Sequence, residues 1–256
     1  MSQYRLALMI IVFGLSFSPL NGCFASEADE AMAVRIAAQL MAAGRNEYDA
    51  AKDPGRKPLE TMRFLGLKAG MTVLDMIAGG GYNSEILSAA VGPSGTVYAQ
   101  NSHRILRLIN GAHHDAMIAR LAGRRLANVK YMVVDPRDMP FSESIDVAVW
   151  GFNMHDVYNG DGEDAVLDFL SQVKRALKPG GILAINEHIG VAGNDNADLH
   201  RLEPRIIIDV LKKAGFTVEA TSDLLANPDD DHSQSVYADG LRYATDRILV
   251  RARKAQ

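Results

Sequence analysis

The sequence is poor in cysteine, in proline and in net charge, and each shortage excludes a class of protein. One cysteine among 256 residues excludes a disulfide framework and a metal site built from cysteines. Nine prolines are too few for a fibrous or linker-rich chain. A formal net charge of −4 gives no basic field for nucleic acid or an anionic membrane. We therefore expect a small molecule or another protein as the partner, with no nucleic acid.

Long apolar runs are also scarce, and the one at the amino terminus predicts a signal peptide over residues 1–25. Arg5 precedes the apolar run 6–17, and small residues and an acidic stretch follow it. The run is shorter than the roughly 20 residues that cross a bilayer. Cleavage after Ala25 is one expectation. Residues 20–23 (LNGC) also resemble a lipobox, which would attach a lipid to Cys23. The alternative is a hydrophobic start to a cytosolic protein.

Strand-like and helix-like segments alternate through the rest of the chain. A helix is predicted from residue 27 to Gly44, a polar loop over 45–57 and a short helix over 58–64. Seven short runs rich in β-branched residues follow, with helices predicted at 82–90, 103–121, 164–177 and 202–214; the runs are 71–75, 96–100, 129–135, 145–150, 181–187, 216–221 and 247–253. Apolar strands joined by helices predict an α/β fold, a doubly wound and mostly parallel sheet with a helical lead-in. No linker divides residues 26–256, so we expect a single domain. We also expect this domain to be a monomer without a transmembrane segment.

A glycine-rich turn follows the first predicted strand. Asp75 ends that strand, and three glycines at 79–81 lead into the next helix. Ligands of doubly wound sheets bind beyond the carboxyl ends of the strands, and glycines there let a ligand approach bare backbone. A dinucleotide fingerprint would need glycine at position 84, where Ser84 stands, which argues against a nicotinamide cofactor. The turn alone is as consistent with a structural role as with a binding site.

Polar residues recur at the strand ends with a regular spacing: Asp75, Gly79, Asn101, Asp135, Asp146 and the LKPGG sequence at 177–181. This spacing resembles that of the class I S-adenosylmethionine-dependent methyltransferase superfamily. Longer stretches, among them RKPLETMRFLGLKAGMTVLDMIAGGGYNSEIL and FNMHD, resemble a branch of exported, predicted bacterial methyltransferases of unassigned substrate. The resemblance covers residues 30–253. It implies a Rossmann-like seven-stranded sheet whose last strand is antiparallel, S-adenosyl-L-methionine as cofactor, and methyl transfer to a small or medium-sized acceptor.

The same resemblance assigns the cofactor-binding residues. Asp75, Gly79 and Gly81 would line the methionyl and ribose part of the cofactor. Asn101 would face the ribose hydroxyls, Asp135 the adenine amino group and Asn153 the methionyl side. The full set is Asp75, Ala78, Gly79, Gly80, Gly81, Tyr82, Asn101, Asp135 and Asn153. Two positions depart from the superfamily pattern: Ile77 replaces a glycine, and Asn101 replaces an acidic residue. Both departures predict weaker cofactor binding.

Histidines near the strand ends are the candidates for proton transfer. His155 and Asp156 follow the fourth strand, and His188 ends the fifth, so we name these three as catalytic candidates. The alternative is that they cap helices or bond the backbone. His113 and His114 are expected on a solvated helix away from the strand ends. The polar loop 45–57 either closes over the cofactor or is a solvated linker.

Two further functions stay open at this point. The protein could bind an S-adenosyl nucleoside without catalysing methyl transfer. Ile77 and Asn101, which depart from the superfamily pattern, would then indicate the loss of catalysis. A metal-dependent hydrolase or sensor could use His155, His188 and the acidic PDDDHS sequence at 228–233. No spacing among these residues resembles a known metal motif, so we assign no metal ligand.

Overall fold

A seven-stranded sheet forms the centre of the computed structural model, which describes residues 26–255; the predicted signal peptide lies outside them. The strands are β1 Thr72–Met76, β2 Thr96–Asn101, β3 Val129–Val133, β4 Ile145–Gly151, β5 Leu177–His188, β6 Phe216–Ser222 and β7 Arg247–Lys254. Their order is β3-β2-β1-β4-β5-β7-β6. Only β7 runs antiparallel to its neighbours, β5 and β6. The predicted α/β fold with an antiparallel last strand is confirmed.

Helices cover both faces of the sheet, because successive residues of the inner strands are apolar on both sides. Val73 and Val147 belong to a core with the first helices, whereas Leu74 and Ala148 belong to a core with the later ones. The helices are α1 Glu27–Leu40, α2 Glu47–Ala50, α3 Asp53–Arg56, α4 Pro58–Phe64, α5 Tyr82–Val91, α6 His103–Leu108, α7 Ala112–Leu121, α8 Met154–Asp161, α9 Glu163–Ala176 and α10 Pro204–Lys213. None of these described helices has the length and apolar character that a membrane crossing requires.

The structure corrects three of the predicted elements. The single helix expected over 103–121 is broken, because Asn110 and Gly111 adopt left-handed φ angles of 51° and 79° between α6 and α7. The loop expected over 45–57 contains the short helices α2 and α3. An additional helix, α8, directly follows β4 and is separated from α9 by Gly162, whose φ is 86°. Each correction concerns residues at the carboxyl edge of the sheet, around the glycine turn.

Candidate functional site

The glycine turn links β1 to α5 through residues 77–81. Gly79 and Gly81 adopt φ angles of 56° and 86°, which glycine tolerates best. Ile77 also lies in the left-handed region, with φ at 49°, and its side chain is buried. A branched side chain in this region costs about 1–2 kcal/mol. The turn therefore keeps a glycine-like backbone at a position where the sequence has lost the glycine.

Asn101, at the end of β2, holds the glycine turn in place. Its amide Nδ2 donates to the carbonyl of Gly79 at 3.0 Å, and its Oδ1 accepts from the N–H of Gly79 at 2.9 Å. The side chain is fully buried. The sequence predicts that Asn101 faces the ribose hydroxyls of a cofactor, whereas in the structure both polar ends of the amide bond the turn.

Asp75 lies buried beneath the turn with one oxygen unpaired. Its Oδ2 accepts a hydrogen bond from the Ser84 hydroxyl at 2.5 Å, whereas Oδ1 is buried and has no hydrogen-bond partner within residues 26–255. Burial raises the pKa of Asp75 to about 7, although the bond from Ser84 opposes the shift. A buried carboxylate oxygen without a donor is costly. This group is suited to a ligand that brings a donor or a positive charge.

A cavity of about 280 Å³ opens above the turn. The predicted residues that line it are Ala78, Gly79, Gly80, Tyr82 and Asn153. Asp135 lines a second cavity, of about 460 Å³, next to β3. Ile77 lines both cavities. The turn therefore lies between two spaces, one on the side assigned to the methionyl group and one on the side assigned to adenine.

His113 reaches this cavity, although the sequence placed it away from the strand ends. Its ring lies 3.5 Å from where a Cβ on Gly79 would stand, and it lines the space above the turn. The break between α6 and α7 gives α7 its own direction, and this carries His113 to the turn. His114, the next residue, points away and lies 3.1 Å from the Tyr131 hydroxyl. No local sequence signal distinguishes the two histidines.

Residues 46–57, which contain α2 and α3, cover the other side of the cavity, and we call this segment the strap. Asp53 accepts a hydrogen bond from the Tyr82 hydroxyl at 2.8 Å and pairs with Arg45 at 2.5 Å. Arg120 donates to the carbonyl of Gly80 at 2.7 Å and pairs with Asp49 at 2.5 Å. Of the two readings of residues 45–57, the structure therefore favours the one in which the segment closes over the turn.

Arg56 of the strap lies at the cavity between two aromatic rings. Its guanidinium carbon is 4.3 Å from the ring centroid of Tyr82 and 4.6 Å from that of Phe152. Within the described chain, no carboxylate oxygen lies within 4.0 Å of this guanidinium. Burial and the charge of Arg56 lower the pKa of Arg247, which also faces the Phe152 ring, to about 10. This part of the cavity therefore carries positive charge that is available to an anionic group.

His155 is fixed at the start of α8 by Glu187 of β5. The Nδ1 atom of the imidazole lies 2.8 Å from Glu187 Oε1, and the backbone N–H of His155 donates to Oε2 at 3.0 Å. Burial alone would lower the pKa of His155, but the charge of Glu187 and the contact with Asp156 raise it to about 10. A histidine that already carries its proton at neutral pH is a poor general base. This argues against the role that the sequence suggested for His155.

The remaining catalytic candidates differ in their surroundings. Asp156 is half exposed, and its Oδ1 lies 3.1 Å from His200 Nδ1. His188 bonds Thr245 through Nδ1, at 2.7 Å from the hydroxyl, and its ring lies 5.0 Å from that of Phe152. Burial and the nearby charges of His155 and Arg247 hold the pKa of His188 well below its usual value. His188 is therefore a neutral imidazole beside Phe152, which lines the cavity.

The acidic sequence at 228–233 pairs with residues other than His155 and His188. Asp230 is buried and forms a two-bond ion pair with Arg201, with both distances at 2.9 Å. His232 lies 2.9 Å from Asp246. These contacts anchor the segment that precedes β7. The structure thus separates this segment from His155 and His188, with which the sequence had grouped it.

Comparison with known proteins identifies the domain that contains the turn. A family model described as a methyltransferase domain matches residues 74–185. The ubiquinone/menaquinone biosynthesis C-methyltransferase UbiE of Pseudomonas fluorescens is 31% identical over 129 residues, which are 50% of this chain and 45% of that protein. UbiE of Idiomarina loihiensis is 29% identical over 165 residues, which are 64% of this chain and 59% of that protein. The chain therefore spans about half the length of the curated relatives that it matches.

Solved structures share the fold. The crystal structure of a SAM-dependent methyltransferase from Aquifex aeolicus superposes with a TM-score of 0.56 at 23% identity, over 80% of this chain and 96% of that one. The strand order, the antiparallel β7 and the turn after β1 agree with this likeness. Residues 74–185 therefore match a methyltransferase domain, and the chain has the fold of S-adenosylmethionine-dependent methyltransferases of known structure.

Proposed function

We propose that this protein transfers the methyl group of S-adenosyl-L-methionine to a small or medium-sized acceptor. The observation that supports the proposal most directly is the turn itself. A buried, unpaired Asp75 oxygen lies below it, and a cavity lined by bare glycine backbone lies above it. When bound, the cofactor supplies an electrophilic methyl group on a sulfonium. For the transfer of this methyl group, the protein has mainly to position the donor and the acceptor.

The charges around the cavity fit the methionyl end of such a cofactor. S-adenosylmethionine carries an ammonium, a sulfonium and a carboxylate. Asp75 offers a negative charge beneath the turn, and Arg56 offers an unpaired positive charge beside it. Asp135 in the second cavity is the acceptor that we assign to the adenine amino group. The two cavities would then hold the two halves of one ligand, with Ile77 between them.

A proton must leave when the acceptor is a hydroxyl or an amine, and we assign this step to His188. Its ring packs near Phe152, which lines the cavity. His155 is held by Glu187 and faces Asp156 instead. Of the three catalytic candidates, His188 is therefore the one placed to meet an acceptor that enters over Phe152.

We also propose that the protein acts outside the cytosol, in the periplasm or as a secreted or lipid-anchored form, and as a monomer. The support is the pattern of residues 1–25, with Arg5 before an apolar run and an acidic stretch after it. In the structure, Ser26 caps α1 by accepting from the N–H of Asp29 at 3.2 Å. Cleavage after Ala25 would leave this cap intact.

The test of cofactor binding is the substitution Gly79→Val, measured by calorimetric titration with S-adenosylhomocysteine. Around Gly79 the nearest atoms belong to the exposed His113 at 3.5 Å, so valine would fill the cavity rather than collide with the core. We expect the dissociation constant to rise at least about tenfold.

Gly123→Val is the matched control. Gly123 has a similar φ of 63°, and nothing lies within 4 Å of its missing Cβ, so it carries the same backbone strain away from the cavity. Equal affinities for Gly79→Val and Gly123→Val would move the cofactor site elsewhere. Gly81→Val is unsuitable, because its Cβ would lie 2.8 Å from the buried Met117.

A further inference from the structure

Three side chains from two distant parts of the sequence converge beyond the carboxyl ends of β4 and β5. His155 and Asp156 begin α8, and His200 comes from the turn that precedes α10. One ligand atom from each of the three lies within 4.8 Å of the others. His155 Nε2 and His200 Nδ1 lie 3.2 Å and 3.1 Å from the same Asp156 oxygen. The rings of the two histidines meet edge to face, with centroids 5.6 Å apart.

The imidazole edge of His155 that faces this cluster makes no well-aligned hydrogen bond, although Asp156 Oδ1 lies 3.2 Å from its Nε2. His155 is only 2% exposed, and its Nε2 is buried and unbonded within the described residues. The opposite edge is fixed, because Glu187 Oε1 lies 2.8 Å from Nδ1. Glu187 is itself held by the backbone N–H groups of His155 and His188. A carboxylate that fixes one imidazole nitrogen and aims the other at a shared point is the arrangement that orients histidine ligands of metals.

We propose that His155, Asp156 and His200 bind one divalent transition-metal ion. Two imidazole nitrogens and one carboxylate oxygen form a donor set that suits zinc and its neighbours rather than calcium or magnesium. Metal–ligand bonds of about 2.0–2.2 Å place tetrahedral ligands about 3.3 Å apart. Two of the separations already match this value, and His200, which is 37% exposed, has room to turn and close the third.

The same charges that surround the cluster would stabilise the ion. Glu187 and Asp156 place two carboxylates around the His155 ring, and a divalent cation that displaces the proton from Nε2 to solvent would balance them. Three protein ligands leave at least one position open, as in metal sites that act on a substrate. His188, whose ring centroid lies 5.9 Å from that of His155, connects the cluster to Phe152 and the cavity. An acceptor with an oxygen or nitrogen donor could therefore bind the ion and face the proposed methyl donor.

The test is metal binding by the full chain, purified without a polyhistidine tag and stripped with a chelator. Titration with Co²⁺, followed by its visible absorption, should show one bound equivalent that Zn²⁺ displaces. Asp156→Asn and His200→Gln should each weaken Zn²⁺ binding at least about tenfold. Both side chains are partly exposed, so the fold should survive either change.

His232→Gln is the matched control, because His232 also pairs with a carboxylate, Asp246 at 2.9 Å, but lies outside the cluster. It should bind Zn²⁺ as the wild type does. The proposal is overturned if the wild type binds no metal, or if the two cluster variants bind it as tightly as His232→Gln. A parallel titration of the wild type with S-adenosylhomocysteine keeps this result separate from that of the cofactor proposal, on which the metal site does not depend.

Discussion

At the scale of single residues, Asn101 shows how a change of residue type alters a role. Its amide both donates to and accepts from Gly79. Asn101→Asp would lose the donated bond and place a negative charge against the Gly79 carbonyl. We expect a loss of about 1–3 kcal/mol in stability, or about 2–4 °C in melting temperature for each kcal/mol. Cofactor affinity should fall as well, because the turn loosens. Scanning calorimetry and titration with S-adenosylhomocysteine measure the two effects.

Asn46→Asp is the control for stability, because the Asn46 side chain only accepts, from the N–H of Tyr48 at 2.9 Å. Aspartate caps a helix as well as asparagine does, so the melting temperature should not change. The sequence alone predicted the opposite for Asn101→Asp, a gain in affinity from a ribose contact. Tighter binding by this variant would restore that interpretation and contradict the structural one.

Asp75 predicts a pH dependence of stability with a definite sign. Its folded pKa of about 7 lies above the value of an unfolded aspartate, so the folded state binds the proton more tightly. The resulting stabilisation is complete below about pH 4 and is lost as the pH rises to about 7. Asp75→Asn lacks this titration. Its melting temperature relative to the wild type should therefore increase between about pH 5 and about pH 8. A difference that stays constant over this range would show that Asp75 is ionised throughout.

The residues of the site were predictable to different degrees. The turn residues 78–82 and Asn153 follow from their position after strands, which puts them at one edge of a parallel sheet. The bonding of Asn101 could not be predicted, because sequence does not show which backbone groups a side chain reaches. The roles of Arg120 and Arg56 could not be predicted either. Arg120 contacts the turn and Arg56 contacts Phe152, and both contacts depend on how the helices pack.

At the scale of elements, the break between α6 and α7 determines which histidine meets the turn. His113→Ala would remove a wall of the cavity, and we expect cofactor binding to weaken about fivefold, or about 1 kcal/mol. His114→Ala, one residue away, should leave it unchanged, because His114 contacts Tyr131 instead. Titration of both variants with S-adenosylhomocysteine compares them directly. Equal effects of the two substitutions would mean that the α7 surface is not part of the site.

Strands were easier to predict than helix breaks. Each strand of the inner sheet is buried on both faces, so its apolar run is visible in the sequence. The helix break at Asn110 and Gly111 carries no proline, and although an Asn-Gly pair is typical of turns, helical periodicity continues on both sides of it. The short helices of the strap are held by Asp53 and Asp49, whose partners lie far along the chain. Long-range pairing of this kind leaves no local pattern.

At the scale of the whole molecule, the signal peptide predicted over residues 1–25 implies that the mature protein is shortened at its amino terminus. We expect tagged full-length protein to be found outside the cytosol with an amino terminus at Cys23 or Ser26, because the apolar run and its flanks match an export signal. Mass spectrometry of the fractionated protein distinguishes the two termini, and a lipid on Cys23 adds a defined mass. An intact form beginning at Met1 in the cytosol would contradict export.

The place of β7 in the sheet has a consequence for the order in which the molecule can form. This strand lies between β5 and β6, and β6 has no other partner in the sheet. During synthesis, residues 216–222 therefore have nothing to pair with until residues 247–254 have left the ribosome. This edge of the sheet closes after the others. One edge of the sheet therefore stays open while the chain is being translated, and it closes only when both ends of the segment 216–254 have emerged.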